Sequence, residues 1–288
     1  RGKPMIGIFP LTKGENITAV LPLPNDKASW ENLNIMFSTA KGTVRRNALS
    51  DFIKIQSSGK IAMKLSDDDK LIGVHTCEEK ENDVFLSTKE GKCLRFPISN
   101  VRKFSGRNSV GVRGIRLSKD DTVISMYILK HAKFSIDERN NYLKIANSIR
   151  RKELKRSMPF SKLSKGKQLS EEKFVEMENI EEFILSVADN GFGKRSSAYE
   201  YRITSRGGKG IANMAVSKKT GKVVSSFPVN EKDDVMLIAG TGKLIRSPVN
   251  KIRIAGRTTQ GVTLFKVESS EKVLSAASIK DLNINSEE

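Results

Sequence analysis

The chain has 288 residues, 38% of them hydrophobic, which is enough apolar material for a sizeable core in one or two domains. Its 51 Lys and Arg against 33 Asp and Glu leave a formal charge of +18, and self-repulsion of that size is commonly offset by a polyanion such as nucleic acid. No apolar run approaches the roughly 20 residues that span a bilayer, no signal peptide opens the chain, and Cys77 and Cys93 make no disulfide framework, so a soluble protein of the reducing cytoplasm is expected, with no membrane partner.

In chain order, a short strand, a turn and a Gly recur. Ile35 to Gly42 matches Val84 to Gly91, Ile184 to Gly191 and Val235 to Gly242, with the glycines 49, 100 and 51 residues apart. A basic residue stands four positions after each: Arg46, Arg95, Arg195 and Arg246. A second mark, Gly59 to Leu65, aligns without gaps to Gly111 to Leu117, Gly210 to Val216 and Gly261 to Val267. A third reads as a strand opening at Leu71, Val123, Val223 and Val273. Three marks on one period of about fifty residues predict a repeat architecture. Short β-branched runs with turns such as Asp189-Asn190-Gly191 and Gly240-Thr241-Gly242 predict hairpins. Four strands per period is the economy of a propeller blade, which must pack on its neighbours.

Gly2 to Ile8 fits the second mark, as the tail of a partial repeat, and Lys272 to Asn283 reads as the head of a repeat with no tail. The expected organisation is therefore blades over 1–131, an insertion over 132–181, further blades over 182–283 and a tail at 284–288. The first of these segments holds the partial repeat, two whole repeats and the start of the next. Within the insertion, Ser135 with Asp137 and Glu138 predicts a helix start, and Tyr142, Ile145 and Ile149 follow at helical spacing. Beyond Arg156 the Lys/Ser-rich run with Pro159 predicts mobile chain. A helical hairpin and a loosely ordered excursion both fit.

The residues assemble no catalytic constellation. With two histidines, His75 and His131, His-based triads and His-rich metal sites are not expected, and His75, Cys77 and Cys93 read as ordinary strand residues. Asp67 to Asp69 and Asp120-Asp121 fall at one repeat position and read as a turn motif. Gly207 to Gly210 lacks the spacing and the following helix of a phosphate loop. Tyr127, Tyr142, Tyr199 and Tyr201 lack the surroundings of a nucleophile.

The cations do carry a pattern. Arg45, Arg46, Arg95, Lys194, Arg195, Lys243 and Arg246 lie just past the hairpin Gly in successive repeats. Arg102, Lys103, Arg107, Arg113 and Arg116 crowd the third loop of one repeat, and Arg202, Arg206, Lys209, Arg253 and Arg257 occupy the matching loops of the next two. Equivalent positions on rotated blades are expected to form a cationic ring on the outside. Such a ring suits the phosphates of bent duplex DNA without reading bases. An aromatic content of 6% argues against single-strand stacking platforms.

Gly111 to Leu117, Gly59 to Leu65, Glu90 to Phe96 and Gly256 to Val262 resemble the C-terminal domain of the A protein of bacterial DNA gyrase, over nearly the whole chain outside the insertion. The resemblance implies an all-β fold, a β-pinwheel in which propeller-like blades exchange strands. It implies wrapping of DNA around a basic rim, so that an ATP-dependent holoenzyme introduces negative supercoils. The implied partners are duplex DNA, the N-terminal region of the gyrase A protein and the gyrase B protein in an A2B2 assembly at the nucleoid, the fragment itself being a monomer. ATP and Mg2+ would belong to the holoenzyme. The family's catalytic tyrosine, ATPase and metal-binding acids lie outside this chain, so the fragment is expected to be no enzyme. The family's Gln-Arg-Arg-Gly-Gly-Lys-Gly box belongs to a first blade absent here. Ser205 to Gly210 resembles the box at the equivalent loop of a later repeat, and its function is not carried over. The rival readings are the corresponding C-terminal domain of topoisomerase IV and a chromatin- or protein-binding propeller.

Overall fold

The computed structural model describes residues 11, 14–54, 59–131, 133–268 and 271–280. Each repeat contributes a hairpin: β1 (Asn34–Thr39) with β2 (Thr43–Ala48), β4 (Asn82–Thr88) with β5 (Lys92–Pro97), β8 (Phe183–Ala188) with β9 (Phe192–Ser197), and β12 (Asp234–Ala239) with β13 (Leu244–Pro248). The third-mark segments are β3 (Leu71–Cys77), β7 (Val123–Lys130), β11 (Val223–Val229) and β15 (Val273–Ile279), and each pairs antiparallel with the first strand of the preceding hairpin. They close their own blades. Lys272 to Asn283 is thus corrected from the head of a new repeat to the last strand of the fourth blade, as far as the described residues run. The Gly2 to Ile8 tail lies outside the described residues.

The fourth strand of a blade comes from the next repeat. The second-mark segments form β6 (Val112–Arg113), β10 (Ile211–Ala212) and β14 (Val262–Thr263), which cross over to pair with β2, β5 and β9. The sheet orders are β3-β1-β2-β6, β7-β4-β5-β10, β11-β8-β9-β14 and β15-β12-β13. This is the strand exchange of a pinwheel, and the last blade has three strands among the described residues. Glycine permits the crossing at Gly210, whose φ is +75°. A Cβ there would lie 2.6 Å from the Cys93 carbonyl oxygen, so a side chain cannot be accommodated without moving the partner strand.

The third-mark strands stand together around the axis. Ser125 Oγ donates to the Ser226 carbonyl at 2.9 Å, the Ala276 amide donates to Ser225 Oγ at 3.1 Å, and the Tyr127 ring lies 4.9 Å from His75 and 6.1 Å from Phe227. Between blades the faces bury Met36, Val84, Leu86, Phe96, Ile115 and Met126 in one cluster and Leu185, Phe227, Val235, Leu237 and Val249 in another. Cys77 and Cys93 sit in different clusters, and burial pushes both thiols up to about 12. Asp69 and Asp121 serve as turn clamps: Asp69 accepts from the Lys41 and Lys70 amides at 2.9 Å, and Asp121 accepts from those of Glu90 and Thr122 at 3.0 and 2.9 Å.

Between β7 and β8 the insertion forms three helices, α1 (Ile136–Arg150), α2 (Phe160–Ser164) and α3 (Glu171–Asn179). Ser135 caps α1 in a reciprocal box with Glu138, each side chain bonding the other's amide. The stretch beyond Arg156, read from the sequence as mobile, instead forms α2 and α3. The reason is tertiary: Leu163, Phe174 and Met177 close a core with Phe134, Tyr142, Ile145 and Tyr199. Tyr199 belongs to blade three, so this core also anchors the insertion.

Candidate nucleic-acid interface

Five of the cations expected on the outer rim lie inside the protein. Arg45, Arg46, Arg95, Lys194 and Arg195 are each at most 4% exposed. Arg95 Nε donates to Asp83 Oδ2 at 2.8 Å, and its Nη1 and Nη2 donate to the carbonyls of Ala198 and Lys130 at 2.9 and 2.6 Å. Arg195 donates to the carbonyls of Ile252 and Asn250 at 2.8 and 3.3 Å and pairs with Glu231. Lys194 Nζ reaches Ser196 Oγ, the Asn213 carbonyl and the Gly256 carbonyl at 3.0, 2.9 and 2.8 Å. Arg45 donates to the Ser109 and Gly106 carbonyls and to Asn47, while Arg46 pairs with Glu79 at 3.1 Å. Ala198, Ile252, Asn250, Gly256, Ser109 and Gly106 all belong to a following repeat. Arg45, Arg95, Lys194 and Arg195 are locks between blades, and Arg46 is buried beside Glu79, which corrects the reading of all five as solvent-facing rim residues. Arg45 and Arg46, like Lys194 and Arg195, are neighbours on one strand and face opposite ways, and both members of each pair are buried, with backbone of the following repeat accepting from Arg45, Lys194 and Arg195. Burial lowers the ordinary values of Arg45 and Arg195 and brings Lys194 down to about 8.

The equivalent Arg246 has no following blade over it among the described residues. Its side chain is 66% exposed and pairs with Asp234. Lys243 is exposed beside Glu268 and Glu271.

The crossing loops present the outward cations. Arg102, Lys103, Arg113, Arg116, Arg202, Lys209 and Arg253 are exposed. Lys103, Arg202 and Arg253 each stand eight residues before the crossover glycines Gly111, Gly210 and Gly261, so they occupy one position on three successive loops. Four residues before the same glycines stand Arg107, Arg206 and Arg257, all half-buried. Their guanidinium groups donate to the carbonyls of Ile61, Arg113 and Ala212 at 3.0, 2.9 and 2.8 Å. Each acceptor lies two residues past the crossover glycine of the preceding repeat. One arginine in every crossing loop therefore staples that loop to the loop before it, holding the exposed cation beside it at a fixed spacing. The sequence grouped these residues correctly by loop but did not separate staple from exposed rung.

Gly207 to Gly210 does not fit a nucleotide phosphate. The Gly207 amide donates to the Gly114 carbonyl, the Gly208 carbonyl accepts from the Arg116 amide at 2.8 Å, and β10 follows instead of a helix. Two groups of residues carry structural work that the sequence reading missed. Tyr199 anchors the insertion. Asn213, fully buried, bonds Ser87, Ser186, Ser226 and Tyr201 and so ties blades two and three together.

Blades completed by a strand from the following repeat, with stapled cationic loops between them, define a β-pinwheel of the propeller class. The chain belongs to the family described as DNA gyrase C-terminal domain, beta-propeller, whose model matches residues 33–78, 82–130, 182–230 and 233–280. The DNA gyrase A protein of Rickettsia bellii (strain RML369-C) is 51% identical over 288 residues, covering 100% of this chain and 32% of the relative. The chain thus spans about a third of the length of the curated relatives it matches. Among solved structures, the C-terminal domain of DNA topoisomerase IV superposes with a TM-score of 0.71 at 20% identity, covering 97% of this chain and 71% of that one. The DNA gyrase A C-terminal domain superposes with a TM-score of 0.63 at 20% identity, over 93% and 76%. These two likenesses concern the fold.

Proposed function

We propose that this chain binds duplex DNA without regard to sequence and bends it along the exposed crossing loops, as the wrapping module of a gyrase A protein. The observation that carries this reading is the ladder of Lys103, Arg202 and Arg253, one exposed cation at the same position of three consecutive loops. Phosphate contacts position a protein on DNA and carry no base information, so a rotationally repeated cation suits a curved backbone. Bending a site of 20–30 base pairs by 40–90° costs on the order of 1–6 kcal/mol, which several such contacts offset. The names of the relatives favour gyrase over topoisomerase IV. In this proposal the rest of the gyrase A protein and the gyrase B protein supply DNA cleavage and ATP hydrolysis with Mg2+ in an A2B2 cytoplasmic assembly, and this chain supplies no catalytic group.

The test is affinity against salt on unrelated duplexes of about 40 and 120 base pairs. Engagement of six to ten phosphates makes affinity fall roughly 10³–10⁵-fold between 50 and 200 mM salt, and wrapping favours the longer duplex. The triple variant Lys103→Glu, Arg202→Glu, Arg253→Glu is expected to weaken binding to all sequences alike. A loss confined to one sequence, or no binding by the unaltered chain, overturns the proposal.

A further inference from the structure

The charge of the insertion is unevenly placed. Residues 139–170 hold ten Lys and Arg and one acid, Glu153, whereas 171–182 hold six Glu and one Lys. Three of these acids are engaged within the fold: Glu181 takes Arg150 and the Tyr142 hydroxyl, Glu178 takes Arg156 at 2.9 Å, and Glu182 accepts the Lys130 amide at 2.9 Å. The excess cations are free to face outward. Lys144, Lys152 and Lys165 are exposed and enter no ion pair among the described residues.

These three line one wall of an open cleft of about 1360 Å³ whose other wall is the crossing loop of the fourth repeat, Arg253 to Thr259. Arg253 is the last rung of the exposed ladder. The wall is not loosely attached. Phe134 and Tyr142 meet the Tyr199 ring edge-on at 5.8 and 5.3 Å, the Tyr199 hydroxyl donates to the Met177 carbonyl at 3.0 Å, and Arg150 lies over the Phe183 ring at 5.1 Å. Of the repeat-equivalent residues Ser50, Ser99, Tyr199 and Asn250, one is aromatic, which explains why the insertion seats on this blade.

We infer that the cleft between α1 and the Arg253 to Thr259 loop is a second phosphate-binding site, in which the insertion grips one strand of the duplex as it passes the fourth repeat. This rests on the proposed DNA-binding reading, and it assigns to the insertion the role of lengthening the track beyond the propeller itself. The cleft lining carries seven Lys and Arg against two acids, Glu200, which accepts the Arg257 amide at 2.8 Å, and Glu153, which pairs with Arg151, so the cleft is net cationic. The chemistry is that of a phosphodiester backbone, since point-charge ammonium groups in a wide, open cleft select charge and not base.

The whole chain carrying Lys144→Glu, Lys152→Glu and Lys165→Glu is compared with the unaltered chain and with the ladder triple variant, each on the same 120-base-pair duplex across a salt series. Loss of three phosphate contacts is expected to lower the slope of log affinity against log salt by about 2.7. Hydroxyl-radical footprinting is expected to lose one protected segment and keep the remainder. The matching Lys→Arg variant retains charge and is expected to bind as the unaltered chain does, which separates charge from folding damage. If the ladder variant weakens binding while the insertion variant keeps the same slope and footprint, the cleft assignment is wrong and the DNA-binding reading stands. If the unaltered chain does not bind duplex at all, both fall.

Discussion

Arg95 Nε lies 2.8 Å from Asp83 Oδ2, with the two side chains 1% and 0% exposed, and the same guanidinium group reaches across to the Ala198 carbonyl of the next repeat. In the repeat-equivalent pair, Arg246 is 66% and Asp234 21% exposed, with no following blade over them among the described residues. One sequence motif thus serves as a lock between blades in one repeat and as a surface ion pair in another.

Removing one partner of a buried pair strands the other charge, which typically costs about 3–5 kcal/mol, whereas exposed pairs contribute about 0–1 kcal/mol. Arg95→Met is therefore expected to lower the urea midpoint strongly, and Arg246→Met to leave it nearly unchanged. Equal effects of the two substitutions would contradict the lock.

The crossover depends on Gly210. Its φ of +75° costs an L-residue about 1–2 kcal/mol, and the 2.6 Å approach of a new Cβ to the Cys93 carbonyl adds to that. Gly210→Ala is expected to destabilise the chain and to expose the β5 amides in hydrogen exchange. The control, Gly242→Ala, shares the positive φ but has open space around it, so it should cost the backbone term alone.

Lys194 is buried with a value near 8, below its ordinary 10.5, chiefly through desolvation, with Glu200 acting in the opposite direction. Below pH 8 both folded and unfolded chains hold the proton, and the full penalty of burying the charge is present. Between pH 8 and 10.5 the unfolded chain holds more protons, so this residue's contribution to stability rises with pH, by on the order of 3 kcal/mol in all. Comparing unfolding of the unaltered chain with Lys194→Met across that window isolates the effect. A difference between the two that stays flat with pH would show that the ammonium is not penalised.

Tyr199 ties the insertion to the propeller through two ring contacts and one hydrogen bond. Truncating a buried aromatic side chain costs about 3–5 kcal/mol. Tyr199→Ala is expected to release the helices to limited proteolysis between 133 and 181 while the blades stay protected. Tyr199→Phe should keep the ring contacts and the docking.

The sequence by itself determined what is local: the period, the hairpins and their glycine turns, the Asp clamps at Asp69 and Asp121, the Ser135 helix start and the grouping of cations by loop. Those features depend on residues within a few positions of one another, so a single chain displays them. Only the tertiary structure decided which cations are solvent-facing. Arg46, Arg95, Arg195 and Arg246 share one motif, yet three are buried because a following repeat lays its crossing loop over them, while the fourth is left 66% exposed. Pairing between repeats also decided that Val112, Ile211 and Val262 complete the blade before their own, and the shared core with Tyr199 gave structure to the stretch beyond Arg156. Contacts between residues 55 to 118 positions apart follow from how blades stack, and no local pattern of charge or hydrophobicity records that.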